Sequence, residues 1–123
     1  MDIAFIIASL PRVLPAFGLT IFISAVALVL GTIIGVALGT WRSLVRPRAP
    51  AAFLVDAWVG FVRGTPIIVQ IFMAYFLLPE MGIRLPAVWV GIIALTFNSA
   101  GYQIEIARAA IASIPKGQWD GAA

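Results

Sequence analysis

Cysteine and histidine are both missing from these 123 residues. Their absence excludes disulfides, thiolate or imidazole ligands for zinc and haem, and any histidine-based acid–base pair. Charge is scarce as well: 11% of residues are charged and 63% are hydrophobic. Soluble domains carry about 25% charged residues. The composition is therefore that of an all-α membrane protein, with room for about three spanning helices. The five acids, Asp2, Asp56, Glu80, Glu105 and Asp120, are scattered and assemble no metal site. No Gly-x-x-x-x-Gly-Lys-Ser/Thr loop is present to cradle a nucleotide phosphate. No basic–aromatic patch points to nucleic acid, and the net charge of +3 reports orientation in a bilayer instead. The start is not a secretory signal, because Asp2 stands where basic residues belong and the apolar run 3–10 ends at Pro11 and Arg12. That run reads as an interfacial segment leading into the first span.

The first span is expected at about 14–41, a stretch without charge and long enough to cross a 30 Å core. Within it Ala27, Gly31, Gly35 and Gly39 recur at every fourth position. Small residues at that spacing let two helix backbones approach closely, so the stripe predicts packing against another helix. The loop 42–51 follows, with three arginines and two prolines. The positive-inside rule puts it in the cytoplasm and the amino terminus outside. A second span at about 52–78 runs outward. A loop balancing Glu80 against Arg84 leads to a third span at about 87–114, running inward. Pro115 and Gly117 stop that helix, with Lys116 at its carbonyl end. The residues beyond suit the start of a surface helix.

Arg63-Gly64-Thr65-Pro66 interrupts the second span. A guanidinium at mid-bilayer costs about 2.5–3.5 kcal/mol on insertion scales, and Pro66 cannot supply the N–H that the carbonyl of Val62 expects. Neighbouring helices or a wet cavity must satisfy such a break. In an unbroken helix Asp56, Arg63 and Gln70, spaced by sevens, share one side. On the third span Asn98, Tyr102, Glu105, Ala109 and Ala112 fall within about 40° of one direction, a polar or small stripe that suits a cavity or a second subunit. Arg63 and Glu105 are expected to meet in the inner half of the membrane. The plainer alternative has Arg63 reaching the headgroups and Glu105 forming a surface i,i+3 pair with Arg108. Ser113 and Lys116 make a poor serine–lysine catalytic pair, since Pro115 lies between them and the position is at the water interface.

Three stretches together resemble one family, the polar amino-acid permease subunits of bacterial ATP-binding-cassette importers. They are Arg63-Gly64-Thr65-Pro66 with Gln70, Tyr75-Phe76 and Leu78-Pro79; Tyr102-Gln103-Ile104-Glu105-Ile106-Ala107-Arg108 with Ile111 and 113–118; and Asp120-Gly121-Ala122, where the family's Glu-Ala-Ala motif begins. Ile104 stands where a small residue is usual, and Asp120-Gly121 replaces Glu-Ala. The resemblance implies three helices of an incomplete type I importer permease domain, the N-terminal half of a permease ending inside its coupling segment. It implies a multi-pass protein of the bacterial cytoplasmic membrane, without enzymatic activity or cofactor. The implied partners are two ATPase subunits, a second permease subunit (identical or paralogous) and an extracytoplasmic amino-acid binding protein. Pro115, Lys116, Gly117, Gln118, Asp120, Gly121 and Ala122 become the ATPase-coupling segment. Arg63, Thr65, Gln70, Asn98, Tyr102 and Glu105 become candidates for the translocation path or gate. A non-transporting helical adaptor and a same-fold permease for another small solute stand as alternatives.

Overall fold

The computed structural model describes residues 2–123. Among the described residues five helices follow one another: α1 Ile3–Leu44, α2 Pro50–Gly64, α3 Ile67–Glu80, α4 Ala87–Ala112 and α5 Lys116–Ala122. Two of them, α1 and α4, are long and apolar enough to cross a membrane, and the bent pair α2–α3 makes a third candidate span.

Helix α1 differs from expectation at its start. The run 3–10 does not end at Pro11 but forms the first turns of one 42-residue helix that passes through Pro11 and Pro15. Each proline removes a single donor, and in an apolar setting every other backbone group is best satisfied by continuing the helix. Prolines instead mark the other helix starts. Pro50 takes the first position of α2, where its missing N–H is harmless. Pro66, Pro86 and Pro115 each precede a helix, their carbonyls accepting from the N–H three residues on. Lys116 accordingly opens α5 and does not close α4, which ends at Ala112. At the far end of α3, Gly82 adopts φ +84°. Its N–H bonds the Pro79 carbonyl and that of Ile83 bonds Leu78, the paired closure that a left-handed residue after a helix permits.

The interface that organises the fold joins α1 to α4. Ala27, Gly31, Gly35 and Gly39 are all buried. Gly31 lies against Ser99 and Ala100, Gly35 against Ala100 and Gln103, and Gly39 against Ile104 and Ala107. Residue numbers rise together on the two helices, so α1 and α4 run parallel. Between Leu44 and Ala87 the chain must therefore return to the end from which α1 came. The pair α2–α3 carries it back, although not as a straight span over 52–78: the two helices meet at 113°. Val55 and Val59 of α2 pack on Ile104, with Leu38 and Trp58 against them, and Val62 fills the space left by Gly101. Trp58 stacks on Phe97 at 5.0 Å between ring centroids and donates its indole N–H to the Phe97 carbonyl at 3.2 Å. Large apolar side chains are exposed along the helices, from Ile3, 75% exposed, to Phe76, 63% exposed, as helices bathed in lipid or covered by further helices require.

Candidate translocation site

The break at Thr65-Pro66 needs a donor, and the chain supplies one from its own sequence. The amide nitrogen of Gln70, one turn into α3, donates to the Val62 carbonyl at 3.2 Å and to the Thr65 carbonyl at 3.0 Å. Both carbonyls only accept, so the orientation of the Gln70 amide is fixed. Its oxygen then accepts from the Asn98 Nδ2 of α4 at 3.1 Å. The broken span is thus pinned to α4 by a neutral relay. Gln70 is 5% exposed; an unbroken helix would hold it on one side with Asp56 and Arg63, and the 113° bend at Pro66 offsets the two halves. Asp56 turns instead to α1, where Arg42 grips it in a two-pronged pair of 2.9 and 2.7 Å.

Arg63 and Glu105 do come together, with Nη1 to Oε1 at 4.0 Å. The closer partner of Glu105 is Arg108, which holds both carboxylate oxygens, at 3.1 and 2.7 Å. The surface ion pair of the plainer reading and the contact between α2 and α4 thus coexist. Arg63, Thr65, Asn98 and Tyr102 line one cleft of about 380 Å³, together with Pro66 and Ile67. Glu105 sits one turn beyond Tyr102 on α4, at the Arg63 end of this cleft. Gln70 lies behind the wall and faces a separate apolar groove with Met73, Leu77, Ile93 and Phe97. The residues of α5, Lys116, Gly117, Gln118, Asp120, Gly121 and Ala122, are exposed, as is Pro115 before them.

Three features escape a reading by spacing. The Arg42–Asp56 pair joins residues on either side of the arginine loop. Gly101 is a packing glycine for Val62, hidden within the polar half of α4. The indole bond of Trp58 joins α2 to α4. The signal for Gln70 was available: a lone amide four residues past a proline in an apolar run.

A helical membrane subunit with a broken span and a polar cleft at the break is the class of protein these features define. No protein-family model matches the chain. It is 41% identical over 118 residues to the probable amino-acid ABC transporter permease protein YckA of Bacillus subtilis, covering 94% of this chain and 50% of that protein. With the arginine transport system permease protein ArtQ of the same organism it shares 32% identity over 123 residues, 99% of this chain and 55% of ArtQ. A crystal structure of an amino acid ABC transporter with histidines superposes with a TM-score of 0.85 at 26% identity, covering 99% of this chain and 56% of that one. The chain is a homologue of the permease subunits of amino-acid ABC transporters. It spans about half the length of the curated relatives it matches.

Proposed function

We propose that the chain forms part of the membrane-spanning permease subunit of an ATP-driven importer in the bacterial cytoplasmic membrane, moving a polar amino acid. The observation that carries this reading is the cleft at Arg63, Thr65, Asn98 and Tyr102, a polar recess at the break of a span. A purely anchoring protein has no use for polar groups at that depth. The amino end faces outward, and α1, the α2–α3 pair and α4 are three crossings. ATP hydrolysis belongs to two partner subunits, for which Pro115 and α5 form the docking segment. A second permease subunit completes the path, and an extracytoplasmic binding protein delivers the solute. Within this scheme Arg63, Thr65, Asn98, Tyr102 and Glu105 face the path, while Gln70 holds the break in shape.

Uptake of radiolabelled amino acids by cells carrying the complete importer tests this. Arg63→Ala and Glu105→Ala should each lower receptor-dependent uptake severely while the subunit still reaches the membrane. Glu105→Ala should be the more disruptive, since it leaves Arg63 and Arg108 facing each other without a carboxylate. Undiminished uptake by both variants would remove these residues from the path.

A further inference from the structure

We propose that the turn 46–49, which joins α1 to α2, is a binding site for an anionic phospholipid, its phosphate held by the Arg46 and Arg48 guanidiniums. This goes beyond the importer reading and needs only that α1 and α2 meet at a membrane surface. The turn is closed by the Ala49 N–H on the Arg46 carbonyl at 3.1 Å, with Pro47 at its second position, where the ring pre-sets the backbone. Its flanks are fixed as well. The Val45 N–H bonds the Trp41 carbonyl, and Pro50 opens α2. Arg42 grips Asp56 across the loop, with only 13% of its side chain exposed. Arg46 and Arg48 are exposed and enter none of the ion pairs among the described residues. Asp56 and Glu105 are already held by Arg42 and Arg108, and Asp2 and Glu80 stand at the other end of the helices. Two arginines are thus presented one residue apart on a stiff turn, with no carboxylate paired to either.

The surroundings decide which anion fits. Leu44, the last residue of α1, is 74% exposed, and Phe53 and Leu54, early in α2, are 71% and 68% exposed. Trp41, one turn before Leu44, is exposed too, an indole suited to the headgroup level. A free phosphate uses the guanidiniums and leaves this apolar surface bare. A phospholipid uses both: its phosphate oxygens accept from the guanidinium forks, and its acyl chains cover Leu44, Phe53 and Leu54. The lack of a paired carboxylate sets the headgroup. The ammonium of a zwitterionic lipid finds no acid here, and a second guanidinium repels it. Phosphatidylglycerol brings a negative charge with only hydroxyls beside it.

The sequence contains no cysteine, so Leu44→Cys gives this chain one thiol beside the turn. A bimane on that thiol, in an importer complex whose partner subunits lack cysteine, reports the lipid seated there. The complex is placed in phosphatidylcholine bilayers carrying a small, equal fraction of either phosphatidylglycerol or phosphatidylcholine spin-labelled high on the acyl chain. Quenching of the bimane then gives the relative affinity of the two lipids. A basic residue near the surface is worth about fivefold in affinity for an anionic lipid, so the two together should favour phosphatidylglycerol about thirtyfold. Arg46→Gln and Arg48→Gln should each lower that ratio about fivefold, and the double variant should bring it to parity. Arg84→Gln, which removes the same charge at the other end of the helices, should leave it unchanged, as should excess glycerol phosphate. Equal quenching by the two lipids, which a protein partner seated on the turn would give, overturns the proposal. So does a ratio that survives loss of both arginines, or one that falls as far with Arg84→Gln. Loss of the ratio to glycerol phosphate identifies a site for a soluble anion and overturns the lipid. Amino-acid uptake by the unlabelled importer is read separately: uptake without a lipid preference sinks this inference alone, and a lipid preference without uptake sinks the importer reading alone.

Discussion

Gly39→Ala should loosen the α1–α4 interface, and the structure gives the size of the effect. A methyl at Gly39 would lie 2.7 Å from the Ile104 carbonyl oxygen and 2.8 Å from the Ala107 Cβ. Carbon atoms sit comfortably at about 3.5–4.0 Å, so the helices must part locally by about 1 Å. Both obstructing atoms are backbone or fixed to it, and no rotamer change can move them aside. A gap of about 0.5–1 Å forfeits a quarter to a half of each dispersion contact beside it. Overpacking of this kind costs about 1–3 kcal/mol. Alanine also raises helix propensity by up to about 1 kcal/mol, which would mask part of the loss. Gly18→Ala removes that ambiguity, because nothing lies within 4 Å of a methyl there. Both variants gain the propensity, and only Gly39→Ala suffers the clash. The measurement is the melting temperature of the detergent-purified importer complex, followed by tryptophan fluorescence. A difference of about 2 kcal/mol corresponds to roughly 5 °C between the two variants, with Gly39→Ala the lower. Equal melting temperatures would refute the reading of α1 and α4 as backbones in contact.

Gln70→Leu should lower the same melting temperature, since it strands the Val62 and Thr65 carbonyls and the Asn98 amide at about 1–3 kcal/mol for each unpaired group. The double variant with Asn98→Leu should fall short of additivity by at least about 0.5 kcal/mol, and strict additivity would contradict the relay. For topology, single cysteines at Arg46 and Gln118 should react with a membrane-impermeant maleimide only from the cytoplasmic side, and one at Gly82 only from outside. The reverse pattern would refute an outward amino terminus.

What the sequence reveals and what it conceals divide along a physical line. Helix packing was readable where it depends on one periodicity within one segment: Ala27, Gly31, Gly35 and Gly39 share a face whatever lies opposite. The partner face of α4 was less so, because Ser99, Ala100, Gln103, Ile104 and Ala107 mix small, polar and branched residues. The membrane class, the helical content and the position of the break at Pro66 follow from composition and covalent geometry. The angle of the break does not. Proline removes a hydrogen bond and leaves the new direction to packing, here that of α2 on Ile104 and of α3 beside Ile93 and Phe97. Once the angle is 113°, any argument that adds seven to seven across Pro66 fails. That is why Gln70 parts from Asp56 and Arg63, while those two, both on α2, differ only in the neighbour each meets, Arg42 of α1 and Glu105 of α4.

The bend also sorts polar groups by what their burial costs. Asn98 stands near the middle of α4, and its partner Gln70 is buried there; both are neutral amides. Glu105 and Arg108 lie two to three turns nearer the carboxyl end, level with Arg63 and, beyond it, the Arg42–Asp56 pair. An unpaired amide in apolar surroundings costs a few kcal/mol, an isolated charge far more, so charge near mid-helix would have to be balanced completely. A straight second span would put Arg63 and Gln70 on one side, two turns apart, and draw the guanidinium along the same face as the amides. Breaking the helix between them lets Gln70 close the gap that Pro66 opens, and leaves Arg63 at the cleft with only part of a counter-ion. The same proline that weakens the span thus produces both the buried relay and the available cation, and substituting Pro66 by alanine would be expected to disturb the two together.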